Sequence, residues 1–182
     1  MNQPVLRHAA AEDVPRLAHV AAVTFPLACP PDTVPASIQS FIAAHLSPER
    51  FEDYLADPDR EVLVAEVGGE VVGYTMLVHT DPVDADAAAA VSARPTSELS
   101  KCYVMPDAHG SGVAGALVEA SVDAARARGA RSVWLGCNQQ NARANAFYAK
   151  VGFAQVGEKR FQVGARLEHD FVRERPIEGA AA

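Results

Sequence analysis

The stretch Tyr103-Val104-Met105-Pro106-Asp107-Ala108-His109-Gly110-Ser111-Gly112-Val113-Ala114-Gly115-Ala116-Leu117 decides the reading of this chain. It runs from a strand through a short loop into a glycine-rich turn, and the turn opens a helix. The first turn of a helix leaves backbone N–H groups without intrahelical acceptors, all pointing one way. With the positive end of the helix dipole they form an anion site suited to the phosphates of a ligand.

The flanking sequence supplies a mixed sheet to carry that site. Downstream, Gly112 to Arg128 is amphipathic, with Val113, Ala116, Leu117, Ala120 and Ala124 inward, and Gly129 ends it. Ser132 to Cys137 reads as a strand, and Asn141 to Val151 as a helix stopped by Gly152. Phe153 to Lys159 and His169 to Arg173 read as a closing hairpin. Upstream, Glu61–Glu66 and Val71–Val78 flank Gly68-Gly69, a two-residue hairpin signal, and Glu98 to Val104 is the next strand. Val5 to Arg7 is a short first strand, and Glu12 to Phe25 a helix that the prolines from Pro26 to Pro35 interrupt. A second helix spans Ser37 to His45. Ser47-Pro48-Glu49 caps a third that reaches about Leu55. Thr80 to Ser97 reads as a mobile loop with a helical turn at Ala85 to Val91. The order of elements is that of a mixed α/β domain on one sheet.

The chain has 182 residues, 49% apolar and 21% charged, with a formal charge of −7. That is an ordinary globular composition. An acidic surface argues against nucleic acid as a partner. No run of residues is long and apolar enough for a membrane span, and the N-terminus lacks the pattern of a secretory signal. Cys29, Cys102 and Cys137 have no metal-ligand spacing and suit the reducing cytoplasm.

Gly110-Ser111-Gly112-Val113-Ala114-Gly115 matches the dinucleotide pattern G-x-G-x-x-G in letters only. Five residues separate the strand from the turn, and the next strand ends Leu135-Gly136-Cys137-Asn138 without a ribose-binding acid. No Gly-Lys-Ser/Thr follows, which excludes a P-loop. The segment His109-Gly110-Ser111-Gly112-Val113-Ala114 instead resembles the acyl-CoA pyrophosphate loop of the GNAT N-acetyltransferase superfamily, Gln/Arg-x-x-Gly-x-Gly/Ala. His109 stands where that pattern has Gln or Arg. Asn141-Ala142-Arg143-Ala144-Asn145-Ala146-Phe147-Tyr148-Ala149-Lys150-Val151-Gly152-Phe153 is similar to the superfamily's N-x-x-A-x-x-F-Y-x-x-x-G-F helix. Within the superfamily the chain looks closest to the bacterial spermidine/spermine N-acetyltransferases, on Ala65–Tyr74, Glu98–Val104, Val133–Gly136 and Val156–Phe171.

The resemblance implies an α/β (α+β) acyl-CoA N-acyltransferase fold: a central mixed, mostly antiparallel twisted sheet flanked by helices. It covers one domain over residues 1–175, with 176–182 as a disordered tail. The implied reaction moves an acetyl group from acetyl-CoA, the cosubstrate, to a primary amine of a small, polyamine-like molecule, with no metal. A homodimer is a further implication. The implied cofactor contacts are Cys102, Tyr103, Val104, His109, Gly110, Ser111, Gly112, Val113, Ala114, Asn138, Asn141 and Tyr148. Val104 N–H would bond the thioester carbonyl. Tyr148 would protonate the leaving thiolate, and Glu98 would take the amine proton, with His79 and Asp81 as alternatives. Asn141 is equally well a plain N-cap. Asp32, Asp81, Asp84 and Asp86 offer a cationic acceptor negative charge, with acceptor contacts from 26–41 and 80–97. A peptide acceptor and a non-catalytic acyl-CoA-binding module are the competing readings.

Overall fold

The computed structural model describes residues 3–163 and 165–179. Seven strands form one sheet in the order β1-β2-β3-β4-β5-β7-β6. They are β1 (Val5–His8), β2 (Arg60–Val67), β3 (Glu70–Val78), β4 (Thr96–Val104), β5 (Ser132–Asn138), β6 (Ala154–Val163) and β7 (Arg166–Pro176). Every neighbouring pair is antiparallel except β4 with β5. The β2–β3 turn works because Gly68 and Gly69 both take positive φ, +63° and +86°, the twist a two-residue hairpin needs.

Helices cover both faces. On one lie α1 (Val14–Ala28), α2 (Pro35–His45) and α3 (Pro48–Ala56). Leu17 and Val20 of α1 and Phe51 of α3 pack there with Tyr74 and Met76, all fully buried. Each such side chain contributes about 1.5–3 kcal/mol through the apolar surface it removes from water. On the opposite face lie α5 (Val113–Ala127) and α6 (Ala142–Lys150), with Val118 and Val122 against Leu77, Leu135 and Phe153. A six-residue helix, α4 (Ala85–Ala90), packs on Trp134 and Val172.

Four expectations change. Helix α1 runs through Pro26 to Ala28, because a proline in the last turn forfeits only one hydrogen bond. Helix α2 starts two residues early, with Pro35 in its first turn. The segment 80–97 is tied down rather than loose. Asp84 caps α4 by accepting from Ala87 N–H (2.9 Å), Glu174 accepts from the N–H groups of Ser92 and Ala93 (both 3.0 Å), and β4 already begins at Thr96. The last hairpin is longer than its apolar pattern suggests, and Ile177 is buried with its N–H on Arg131 O (2.9 Å). The tail expected from 176 therefore does not begin there. Residues 180–182 lie outside the described residues.

Candidate active site

The site lies where β4 and β5 part. Their parallel pairing holds only from Thr96–Ser132 to Glu98–Trp134. Along an antiparallel pair, alternate residues turn both N–H and C=O toward the same neighbour. Met105 N–H donates to Val72 O (2.8 Å), so the amides of Tyr103 and Lys101 face β3. Those of Val104 and Cys102 face the opposite way, into the gap beyond Glu98. A bulge adds a second effect. Leu99 lies opposite Leu77 and Lys101 opposite Met76, which leaves Ser100 as the extra residue. Glu98, Lys101 and Tyr103 consequently share the face of α1 and α3. Cys102 and Val104 share the face of α5 and α6.

A cavity of about 710 Å³ passes through this gap. On the α5–α6 side it is bounded by Gly110, Gly112, Arg143 and Tyr148, and on the other by Phe25, Glu98, Glu168 and Asp170. Gly110 and Gly112 sit at φ +79° and +89°, and a Cβ on either would meet nothing within 4 Å. The backbone there is glycine for its conformation, and the space above it is open. The first bond of α5 is Ala116 N–H to Gly112 O (3.0 Å), and no side chain caps the helix. Val113, Ala114 and Gly115 N–H therefore have no helical acceptor. The turn fits a pyrophosphate.

His109 is engaged through both ring nitrogens, Nε2 to Val104 O and Nδ1 to Arg143 Nη1, each at 2.8 Å. A guanidinium only donates, so Nδ1 accepts and Nε2–H donates. Arg143 is thus brought from α6 to the cavity wall beside His109. The sequence reading did not single out Arg143, although its place two residues after Asn141 on the recognised helix was the available signal.

The start of α6 is held by a buried amide. Asn145 Nδ2 donates to Asn138 O (2.9 Å) and Asn141 O (3.0 Å), and its Oδ1 accepts from Arg173 Nε (3.0 Å). Asn141 Oδ1 accepts from Ala144 N–H (3.1 Å), so its side chain serves as the N-cap while it lines the cavity. Asn138 lines it too, its Oδ1 accepting from Gln140 N–H and its Nδ2 donating to Glu168.

Tyr148 packs against Phe147 and Phe153 and hydrogen-bonds Cys102. Burial raises its phenol well above the ordinary value, so it keeps its proton. Burial also pushes the thiols of Cys102 and Cys137 up to about 12 and Cys29 up to about 11. None is a thiolate near neutrality, and none is set up as a nucleophile. Glu98 is raised by burial, against the opposing pull of Lys159 and Lys101. Lys101 is lowered to about 8 by burial.

Most residues expected at the site line the cavity: Glu98, Cys102, Tyr103, Val104, His109, Gly110, Gly112, Ala114, Asn138, Asn141 and Tyr148. Ser111 and Val113 do not. Ser111 Oγ donates to Ala108 O (2.6 Å), and the Val113 side chain is buried in the core, leaving only their backbone for a ligand. His79 is bound to Ser97 and Glu61 (2.9 Å each), away from the cavity. The loose acids are committed elsewhere: Asp32 to Arg166, Asp81 to Thr96 N–H, Asp84 to the α4 cap and Asp86 to Arg160. In their place the fold brings Glu168 and Asp170, which sequence reasoning missed.

The profile of the Acetyltransferase (GNAT) family matches residues 28–153. An uncharacterized N-acetyltransferase of Mycobacterium tuberculosis is 46% identical over 165 residues, covering 91% of this chain and 98% of that protein. The crystal structure of PaiA N-acetyltransferase from Thermoplasma acidophilum in complex with coenzyme A has the same fold. Its TM-score is 0.76 and its identity 19%, over 97% of this chain and 100% of that one. Ribosomal-protein-alanine N-acetyltransferase from Brucella melitensis follows at a TM-score of 0.71 and 26% identity, covering 95% and 99%. The glycine turn, the strand fork and these likenesses agree, and the chain belongs to the GNAT family of acetyltransferases.

Proposed function

We propose that this acetyl-CoA-dependent enzyme acetylates a primary amine of a small molecule by direct attack on the thioester. The observation that carries the reading is the cavity through the β4–β5 fork, with Glu98 on one side and Tyr148 on the other. The pyrophosphate rests on the N–H groups of residues 110–114. The pantetheine arm follows the outward amides of Cys102 and Val104, and Val104 N–H polarises the thioester carbonyl as the oxyanion develops. The amine nitrogen bonds to the carbonyl carbon and gives its proton to Glu98, directly or through water. The C–S bond then breaks, and Tyr148 returns a proton to the thiolate. The unreactive thiols of Cys29, Cys102 and Cys137 support direct transfer over an acyl-cysteine route.

Thiol release from acetyl-CoA across a panel of amines, aminosugars, amino acids and peptides tests the reading. Turnover restricted to small amines, lost in Tyr148→Phe and Glu98→Gln, is the expected result. Turnover unaltered in both variants would remove their roles. The likeness to the Brucella melitensis enzyme favours a second reading, a protein N-terminus as acceptor, which predicts turnover of peptides alone. The reading also includes a cytoplasmic setting, in keeping with three free cysteines among the described residues, and a homodimer. Light scattering of the purified protein checks the dimer.

A further inference from the structure

Among the described residues, no side chain hydrogen-bonds or ion-pairs the Glu98 carboxyl, so its charge state is set by groups at a distance. Burial raises it. Lys159 of β6, Lys101 of β4 and Arg60 of β2 oppose the rise, and Asp84 before α4 adds to it. These cations are not equally available. Lys159 Nζ lies 3.9 Å from Asp170 Oδ2, and Arg60 Nε lies 3.0 Å from Asp57 Oδ2. Lys101 has no carboxylate of its own at ion-pair distance among the described residues. Its ammonium rests over the ring of Tyr54, 5.5 Å from the centroid, and the Tyr54 hydroxyl donates to His45 O (2.9 Å). An aromatic face holds a cation in place without neutralising it.

The strand explains why Lys101 is there. Three residues apart on an unbroken strand, Glu98 and Lys101 would point to opposite faces. The bulge at Ser100 changes this. Glu98 lies opposite Val78 and Lys101 opposite Met76, and Val78 and Met76 both pack in the core beneath α1 and α3. The two side chains therefore leave β4 on one face, and both residues are half-buried on the wall of the cavity. A charge in such a place is screened much less than one on the open surface. Burial lowers Lys101 to about 8, with Glu98 and Arg60 acting on it in opposite directions, and His45 of α2 faces it too. Lys101 is therefore still charged at the acid pH where Glu98 changes state.

We infer that Lys101 is a positioning residue for the base: carried onto the face of Glu98 by the bulge at Ser100, its ammonium keeps that carboxylate ionised, and able to take the amine proton, at lower pH than burial alone would allow. This rests on the reading of Glu98 as the base and adds the group that sets its working range. No proton passes to Lys101; the amine proton goes to Glu98 as the nitrogen bonds to the carbonyl carbon.

The test is the ratio of kcat/KM, wild type over Lys101→Met, followed from about pH 5 to about pH 9 with the small amine that the panel above turns over fastest. Titration of the free amine is common to both proteins and cancels in the ratio. The acidic limb of Lys101→Met should move up by about one pH unit. The ratio should then be about tenfold at the acid end and fall to about one where Glu98 is ionised in both. Lys101→Arg, which keeps a cation over Tyr54, should follow the wild-type profile. A thermal-shift titration with coenzyme A checks that each variant is folded, and Lys101→Gln answers the same question if the methionine variant is not. A packing defect would lower the rate at every pH. A ratio that does not change with pH, or a Lys101→Arg variant that behaves as Lys101→Met, overturns the inference and leaves Glu98 as the base. A Glu98→Gln variant as active as the wild type overturns both.

Discussion

A carboxylate kept buried without a full set of partners should weaken the fold, and for Asp170 the size of that effect follows from the structure. Burial raises its pKa from 3.8 to about 6, with Glu168 adding to the rise and Lys159 and His169 opposing it. A carboxyl with a higher pKa in the folded than in the unfolded state is better tolerated protonated. Its contribution is therefore most favourable below about pH 4 and is lost as pH rises toward 6, with no further change above. A shift of about two units corresponds to about 3 kcal/mol. Asp170→Asn, which cannot ionise, should escape that loss. Urea unfolding of both proteins at pH 4 and pH 8 measures it: the stability difference should move in the variant's favour by about 2.5 kcal/mol between the two, the remainder being lost already below pH 4. In a melt at pH 8 this corresponds to roughly 6–12 °C for a chain of this size. A difference that stays constant with pH would mean that Lys159 fully offsets the burial of Asp170, and the reasoning would fail.

Four further outcomes test the site. Tyr148→Phe should lower kcat by about 100-fold or more while the KM for acetyl-CoA changes by about twofold at most, because the phenol acts on the leaving thiolate; steady-state kinetics decide. Glu98 is raised by burial, so kcat/KM for the acceptor should fall as pH drops through its range, and Glu98→Gln should remove that acidic limb along with most activity. Arg143→Ala should weaken coenzyme A binding by about tenfold in calorimetry, the loss of one charge-assisted phosphate contact. Asn145→Ala strips Arg173 of a partner and frees the 138–141 turn, with an expected cost of about 3–4 kcal/mol. A double-mutant cycle with Arg173→Ala should then be strongly non-additive.

The cofactor half of the enzyme was legible because its chemistry is local. The glycine turn, the helix it opens and the helix carrying Tyr148 are each written in a dozen consecutive residues, and backbone conformation carries most of the signal. The acceptor half is not local. Glu98, Gly136, Lys159 and Asp170 come from four strands, and they meet because β7 pairs with β5 before β6 is reached. Strand β7 also inverts the usual pattern. Glu168, Asp170 and Glu174 are buried while Leu167 and His169 are exposed, so a search for apolar alternation passes over it. The alternation of acids was itself the signal, because consecutive inward carboxylates survive only if each has an answering group. Glu174 has the N–H groups of Ser92 and Ala93, and Glu168 has Arg166 and Asn138. Asp170 has a lysine at 3.9 Å on one oxygen and none on the other. Glu168 Oε1 and Asp170 Oδ1 are nonetheless both buried without a hydrogen-bond donor among the described residues, and both belong to the cavity wall, so the acids that an apolar pattern hides are the ones that set the charge of this side of the cavity.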